Sequence, residues 1–111
     1  MNRVIVINSN SFGKGDELLG EKLMGAFLKK IWVRQDKPDA IIFYNSGVKL
    51  VAKGSTVLDA LNGLYDLGVE LLACGTCLDH FEIRDDIAVG RVSNMEEISS
   101  IMMEANSVIT V

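Results

Sequence analysis

Short β-branched runs alternate with helical stripes along the whole chain, and that alternation admits few folds. Arg3 to Asn8 is apolar on both faces, as a buried parallel strand requires. Asp16 then offers an N-cap to a helix carrying Leu19, Leu23, Met24, Phe27, Leu28 and Ile31. A turn around Pro38 leads to a second strand, Ala40 to Tyr44, followed by the polar turn Asn45-Ser46-Gly47-Val48-Lys49 and a brief apolar segment. Ser55 or Thr56 caps a second helix with Val57, Leu58, Leu61, Leu64 and Tyr65, which Gly68 ends. Val69 to Ala73 is a third strand running straight into Cys74, and residues 78 to 86 form a mixed connection of one or two helical turns. Ile87 to Val92 reads as a fourth strand. Ser93 or Asn94 caps a last helix with Met95, Ile98, Ile101, Met102 and Ala105 on one face, and Ser107 to Val111 closes the chain as a fifth strand. Strands separated by helices imply βαβ units, a mainly parallel sheet and right-handed crossovers that cover both faces with helices.

The 111 residues suffice for one α/β domain, with no internal repeat, linker or low-complexity tract. Apolar residues make up 49% of the chain and there is one proline, a composition suited to a packed core. A net charge of -4 opposes a general nucleic-acid binder, whose phosphate contacts need a basic face. Lys29-Lys30, the only adjacent basic pair, reads as a solvated helix edge. Apolar runs are far shorter than the ~20 residues that span a bilayer. The N-terminus lacks the longer apolar region of a secretory signal, so the chain is expected to be cytoplasmic, with no membrane partner. Methionines 24, 95, 102 and 103 fall on helix faces and suit core or interface packing.

Open parallel sheets place their sites beyond the carboxyl ends of the strands. Here those ends are Asn8-Ser9-Asn10, Asn45-Ser46-Gly47, Cys74-Gly75-Thr76-Cys77 and Ser93-Asn94, all polar or reactive, so one rim of the sheet is the candidate site. The two cysteines are too few for a disulfide scaffold. A zinc site would be half complete, because structural zinc takes four ligands and only Asp79 and His80 lie nearby. A metal shared across a symmetric dimer is one alternative, and Cys74 as a small buried strand-end residue is another. A thioredoxin-type pair is disfavoured, since the motif follows the third strand and Pro38 is not placed as its partner proline.

The favoured reading is a nucleophilic or sulfur-carrying thiol. A free thiol ionises near pH ~8.5, so only ~3% is thiolate at pH 7, and half-ionising it takes about 2 kcal/mol. A helix N-terminus contributes ~0.3–1 kcal/mol, up to ~2 in favourable geometry. Cys74 is expected at such a terminus, with Lys49 on the neighbouring turn adding charge and Gly75 letting backbone N–H groups approach the sulfur. Cys77, three positions on, is placed to trap a persulfide or sulfenate as an internal disulfide.

The segments Asn45-Ser46-Gly47-Val48-Lys49-Leu50, Cys74-Gly75-Thr76-Cys77-Leu78-Asp79 and Gly15-Asp16-Glu17-Leu18-Leu19-Gly20 resemble the DsrE-like family. They look most like the C-terminal domain of YedF proteins, which are described as sulfurtransferase-like and linked to selenium metabolism. The resemblance runs from Arg3 to about Val108. It implies a single DsrE-like domain over residues 1–111, built as a three-layer α/β/α sandwich around a five-stranded, mainly parallel sheet. It also implies a homo-oligomer, a trimer or hexamer, and a persulfide carried directly after the third strand, at the position of Cys74. Cys77 has no counterpart in many relatives. YedF proteins carry an upstream TusA-like domain and this chain begins at the DsrE-like one, so the expectation is either a separate sulfur source, a TusA-like carrier or a cysteine desulfurase, or a stand-alone member with another duty.

Asn10, Asn45 and Ser46 suit either turns or the binding of an anion or acceptor tail. Asp79 suits a turn cap, and His80 a solvated surface group or a proton donor to the thiols. The loop from Ser9 to Gly15 fails the phosphate-loop spacing, because Gly13-Lys14 is followed by Gly15. Trp32, Phe12 and Phe81 suit core or subunit contacts. Two classes stay open: a sulfur-relay or sulfurtransferase subunit acting through Cys74 and Cys77, with Thr76 in the same turn and no cofactor or metal, and a non-catalytic binding or assembly module.

Overall fold

The chain folds around five parallel strands. The computed structural model describes residues 1–111. In chain order the elements are β1 (Arg3–Ile7), α1 (Glu17–Val33), β2 (Ala40–Phe43), α2 (Leu58–Asp66), β3 (Glu70–Cys74), α3 (Gly75–His80), β4 (Arg91–Ser93), α4 (Met95–Glu104) and β5 (Ser107–Thr110). A 3-10 segment, Asn45–Val51, follows β2, and a shorter one, Arg84–Asp86, precedes β4. The sheet order is β4-β3-β2-β1-β5 and every pairing is parallel. Three successive steps in one direction put α1 and α2 on one face, and the step back from β4 to β5 carries α4 over the other.

The central strands β1, β2 and β3 are buried on both faces, which explains their unbroken Val, Ile, Leu and Phe content. Ile5, Ile41 and Leu71 are aligned across them in one row, and Val6, Ile42 and Leu72 in the next. Met24 and Leu28 of α1, Leu61 and Leu64 of α2 and Ile98 of α4 complete the core. β5 lies on the open edge and all four of its residues are exposed.

Several boundaries differ from the sequence expectation. Asp16 does cap α1, its side chain accepting the Leu19 N–H at 2.8 Å. The buried stripe, however, runs Gly20, Met24, Leu28, while Leu19 and Leu23 are exposed. Gly20 turns inward because α1 approaches the preceding loop so closely that a Cβ there would strike the Ser11 side chain. The turn at Asn45 is a full 3-10 segment with Gly47, Val48, Leu50 and Val51 buried. The connection after β3 is helical from Gly75. β4 begins only at Arg91, not Ile87: Ile87 forms an isolated antiparallel bridge with Ala52, and Gly90 turns the chain with a φ of +81°. A Cβ at Gly90 would sit 2.6 Å from the Leu71 carbonyl oxygen, so the chain enters the sheet at a point only glycine fits. Met24 is core, but Met95 and Met103 are exposed. No helix is long and apolar enough to cross a membrane.

Candidate thiol site at the carboxyl rim of the sheet

Parallel strands bring their carboxyl ends to one rim, so the turns after β1, β2, β3 and β4 converge there. The turn after β2 is drawn in most tightly. The Tyr44 N–H donates to the Ile7 carbonyl at 3.1 Å, and a Cβ on Gly47 would collide with that same oxygen. The Asn10 N–H donates to Ser46 Oγ at 3.2 Å, fastening the first turn to the second. Asn45 holds a left-handed backbone, φ +50°, a conformation asparagine tolerates better than most residues. In that conformation its N–H donates to Cys77 Sγ at 3.1 Å.

The two cysteines lie in different surroundings. Cys74 ends β3, is 3% exposed and belongs to the hydrophobic core. Its register partner in β4 is Ser93, so the two side chains share a face of the sheet. Cys77 is half-buried on α3 and lines a cleft of about 300 Å³ with Asn45, Thr76, His80 and Phe81. Burial pushes the Cys77 thiol above its ordinary range, the neighbouring Cys74 thiol pushes it further, and the Asn45 N–H partly offsets both. The expectation of a sulfur both exposed and poised at the start of a helix therefore divides: the residue at the helix start is buried, and the accessible thiol is one turn further on with a raised pKa.

The supporting residues also separate. Thr76 and Asn45 line the thiol cleft. Asn10 and Lys49 line a different cleft of about 540 Å³, with Ser11, Glu17, Glu21 and Ser55. Lys49 meets the thiol cleft only through Phe81, its Nζ lying 4.5 Å from the centroid of that ring. The Ser46 hydroxyl is taken up by the Asn10 N–H. Gly75 is buried, and a Cβ there would meet Arg84 at 2.8 Å and the Ser93 carbonyl oxygen at 3.1 Å. Its role is thus to let α3 lie against the end of β4. Asp79 pairs with Arg84 through two hydrogen bonds of 2.6 and 2.9 Å, and that guanidinium holds its carboxyl below the usual range. It fastens α3 to the segment before β4 and does not line the cleft.

His80, expected as a surface group or a proton donor to the thiols, and Phe81, expected in the core or at a subunit contact, both line the cleft, their rings packed edge to face at 5.1 Å. Their spacing of three and four from Cys77 on a helical turn is the signal that finds them. No three His, Cys, Asp or Glu side chains are grouped to hold a metal.

A five-stranded parallel sheet flanked by helices, with two free cysteines at and just beyond the end of its third strand, defines a small α/β protein of the parallel-sheet class. Residues 3–111 match the DsrE/DsrF-like family, and the chain belongs to it. Among solved structures, the ychN protein from E. coli aligns with a TM-score of 0.71 at 19% identity, covering 99% of this chain and 98% of that one. MTH1491 from Methanobacterium thermoautotrophicum, a protein of unknown function, aligns with a TM-score of 0.71 at 19% identity over 100% of both chains. BT1422 from Bacteroides thetaiotaomicron, also of unknown function, gives 0.71 at 15% identity, over 99% of this chain and 95% of its own. A comparison with curated protein sequences gives no significant match.

Proposed function

We propose that the protein is a sulfur-relay subunit that carries sulfane sulfur as a cysteine persulfide on the Cys74–Cys77 turn. One observation carries this reading: a thiol with a backbone N–H donated to its sulfur faces an open cleft, and a second thiol stands beside it. Membership of a family generally tied to sulfur relay supports it. A TusA-like carrier or a cysteine desulfurase is the proposed donor. Selenium in place of sulfur, and a kinship with YedF proteins, belong to the same proposal.

The test is intact-mass analysis after incubation with a cysteine desulfurase and cysteine. Early in the reaction wild type is expected to gain about 32 Da per sulfur, removable by a reductant, or to release that sulfur as sulfide, and the Cys74→Ser/Cys77→Ser double variant to do neither. Failure of wild type to accept sulfur from this donor or from a small-molecule persulfide would end the reading.

The alternative is a non-catalytic binding or assembly module. It is favoured by the apolar side chains exposed on α1, Leu18 at 73% and Leu19 at 54%. A homo-oligomer, trimer or hexamer, is proposed under either reading. The assembly reading predicts that the double cysteine variant keeps every partner and its oligomeric state while no sulfur transfer is found.

A further inference from the structure

Accessibility divides the two thiols and spacing joins them. Cys74 is 3% exposed, packed in the core at the end of β3, and no donor of protein size can reach it. Cys77 opens onto the cleft formed with Asn45, Thr76, His80 and Phe81. Two residues separate them, Cys74 standing at the N-cap of α3 and Cys77 in its first turn, and the Cys74 thiol bears directly on that of Cys77. Neighbours of this kind are within range of disulfide geometry with small adjustment.

We propose that Cys77 receives the sulfur and that Cys74 expels it as hydrosulfide, so that the turn is a sulfane-sulfur reductase site closing to a Cys74–Cys77 disulfide. This rests on the sulfur-relay reading. In the first step the Cys77 thiolate attacks the terminal sulfur of a donor persulfide; the new S–S bond forms on Cys77 and the donor leaves as its thiolate. In the second step the Cys74 sulfur attacks Cys77 Sγ and the bond to the outer sulfur breaks. The electron pair leaves with that sulfur as HS⁻, which takes up the proton lost by Cys74. Sulfane sulfur is reduced by two electrons and two thiols are oxidised to one disulfide. An external dithiol restores both thiols by exchange. The core around Cys74 admits no other attacking group from that side, and this favours internal resolution over direct hand-off from Cys77 to an acceptor.

Two measurements test it. Diamide treatment, with no sulfur present, is expected to remove about 2 Da from wild type and to form the Cys74–Cys77 disulfide in the folded protein; failure to form it overturns the inference whatever the fate of the relay. With glutathione persulfide as donor, wild type is expected to release about one equivalent of sulfide and end as the disulfide. Cys74→Ala and Cys74→Ser are both expected to hold the 32 Da adduct on Cys77 at least about tenfold longer, and Cys77→Ala to acquire none. An adduct on Cys74 in the Cys77 variant, or adducts equally short-lived with and without Cys74, would overturn the division of roles. Absence of any adduct, sulfide or donor-dependent disulfide, with the diamide disulfide formed normally, would instead strike the sulfur-relay reading beneath it.

Discussion

At the scale of single residues, the site depends on two positions, one set by burial beside a neighbouring thiol and one by a backbone atom far away in the chain. Cys77 takes its raised pKa from burial and from Cys74, so its neutral thiol persists to higher pH than that of a free cysteine. Labelling by iodoacetamide is therefore expected to be slow near neutral pH and to climb only above the ordinary thiol range, with Cys77 labelled before Cys74. Half-maximal labelling of Cys77 at or below pH ~8.5 would contradict this. Gly47 is the second position. Any side chain there strikes the Ile7 carbonyl oxygen, a backbone atom that cannot step aside. Gly47→Ala is expected to destabilise by about 3 kcal/mol in urea unfolding, and to displace the Asn45 N–H from Cys77 in the process. The chemistry of the rim was legible in the residue types after each strand. A buried Cys74 at a strand end was among the readings the sequence allowed, but its contrast with an accessible Cys77 was not legible, because the two differ in burial only once β4 and the 3-10 segment after β2 close around them. The uninterrupted run of β3 into Cys74 was the one local hint.

At the scale of elements, the starts of α1 and α4 obey local rules, but α2 does not: Val57, not Ser55 or Thr56, stands at its N-cap position with no side-chain cap. Asp16 and Asn94 cap α1 and α4 as their residue types predict. The start of β4 was read four residues early, since the Ala52–Ile87 bridge and the left-handed Gly90 are products of tertiary packing. The stripe of α1 was read one position off at its N-terminal end for the same kind of reason: Gly20, which looks like a gap in the pattern, is the point of closest approach. α4 adds an electrostatic device. The Glu97 carboxylate accepts hydrogen bonds from Arg91 at 2.9 and 2.8 Å and from the Ser93 hydroxyl, and these hold its pKa at about 2, below its ordinary 4.5. A depressed carboxyl contributes stability that is fully present above its unfolded-state pKa and is lost as pH falls through the folded value. Wild type should lose stability between pH 4.5 and about 2, and Glu97→Gln should flatten that limb of the urea-unfolding profile. The effect expected is about 1 kcal/mol, since both partners are partly exposed. An unchanged acid limb in the variant would show that the pairing adds nothing.

At the scale of the whole molecule, alternation of strand and helix along the sequence was enough to reach a parallel sheet, because each crossover has only one favoured hand. Distribution of the helices over the two faces depended on strand order, which residue patterns do not encode. β5 lies at the sheet edge, and its Val108 and Ile109 remain 37% and 42% exposed on opposite faces, Ile109 on the side of Phe27 and Ile31 of α1. With Leu18, Leu19 and Leu23 on α1, the surface carries more large apolar side chains than an isolated small domain keeps in contact with water at no cost. If the proposed homo-oligomer forms through α1, the Leu18→Glu/Leu23→Glu variant should sediment as a smaller species than wild type while keeping its far-ultraviolet spectrum. Identical sedimentation of the two would place any interface elsewhere.

The first and last strands lie side by side in the same direction, β1 beside β5. Met1 is therefore at the amino end of the sheet, where its carbonyl accepts from Asn106, whereas Val111 sits one strand-length away, its N–H bonded to the Val6 carbonyl at 2.9 Å. A tether or fluorophore attached ahead of Met1 would hang from the pole of the molecule opposite the thiols. One attached behind Val111 would emerge on the same rim as the thiols, but at the far edge of the sheet from β3.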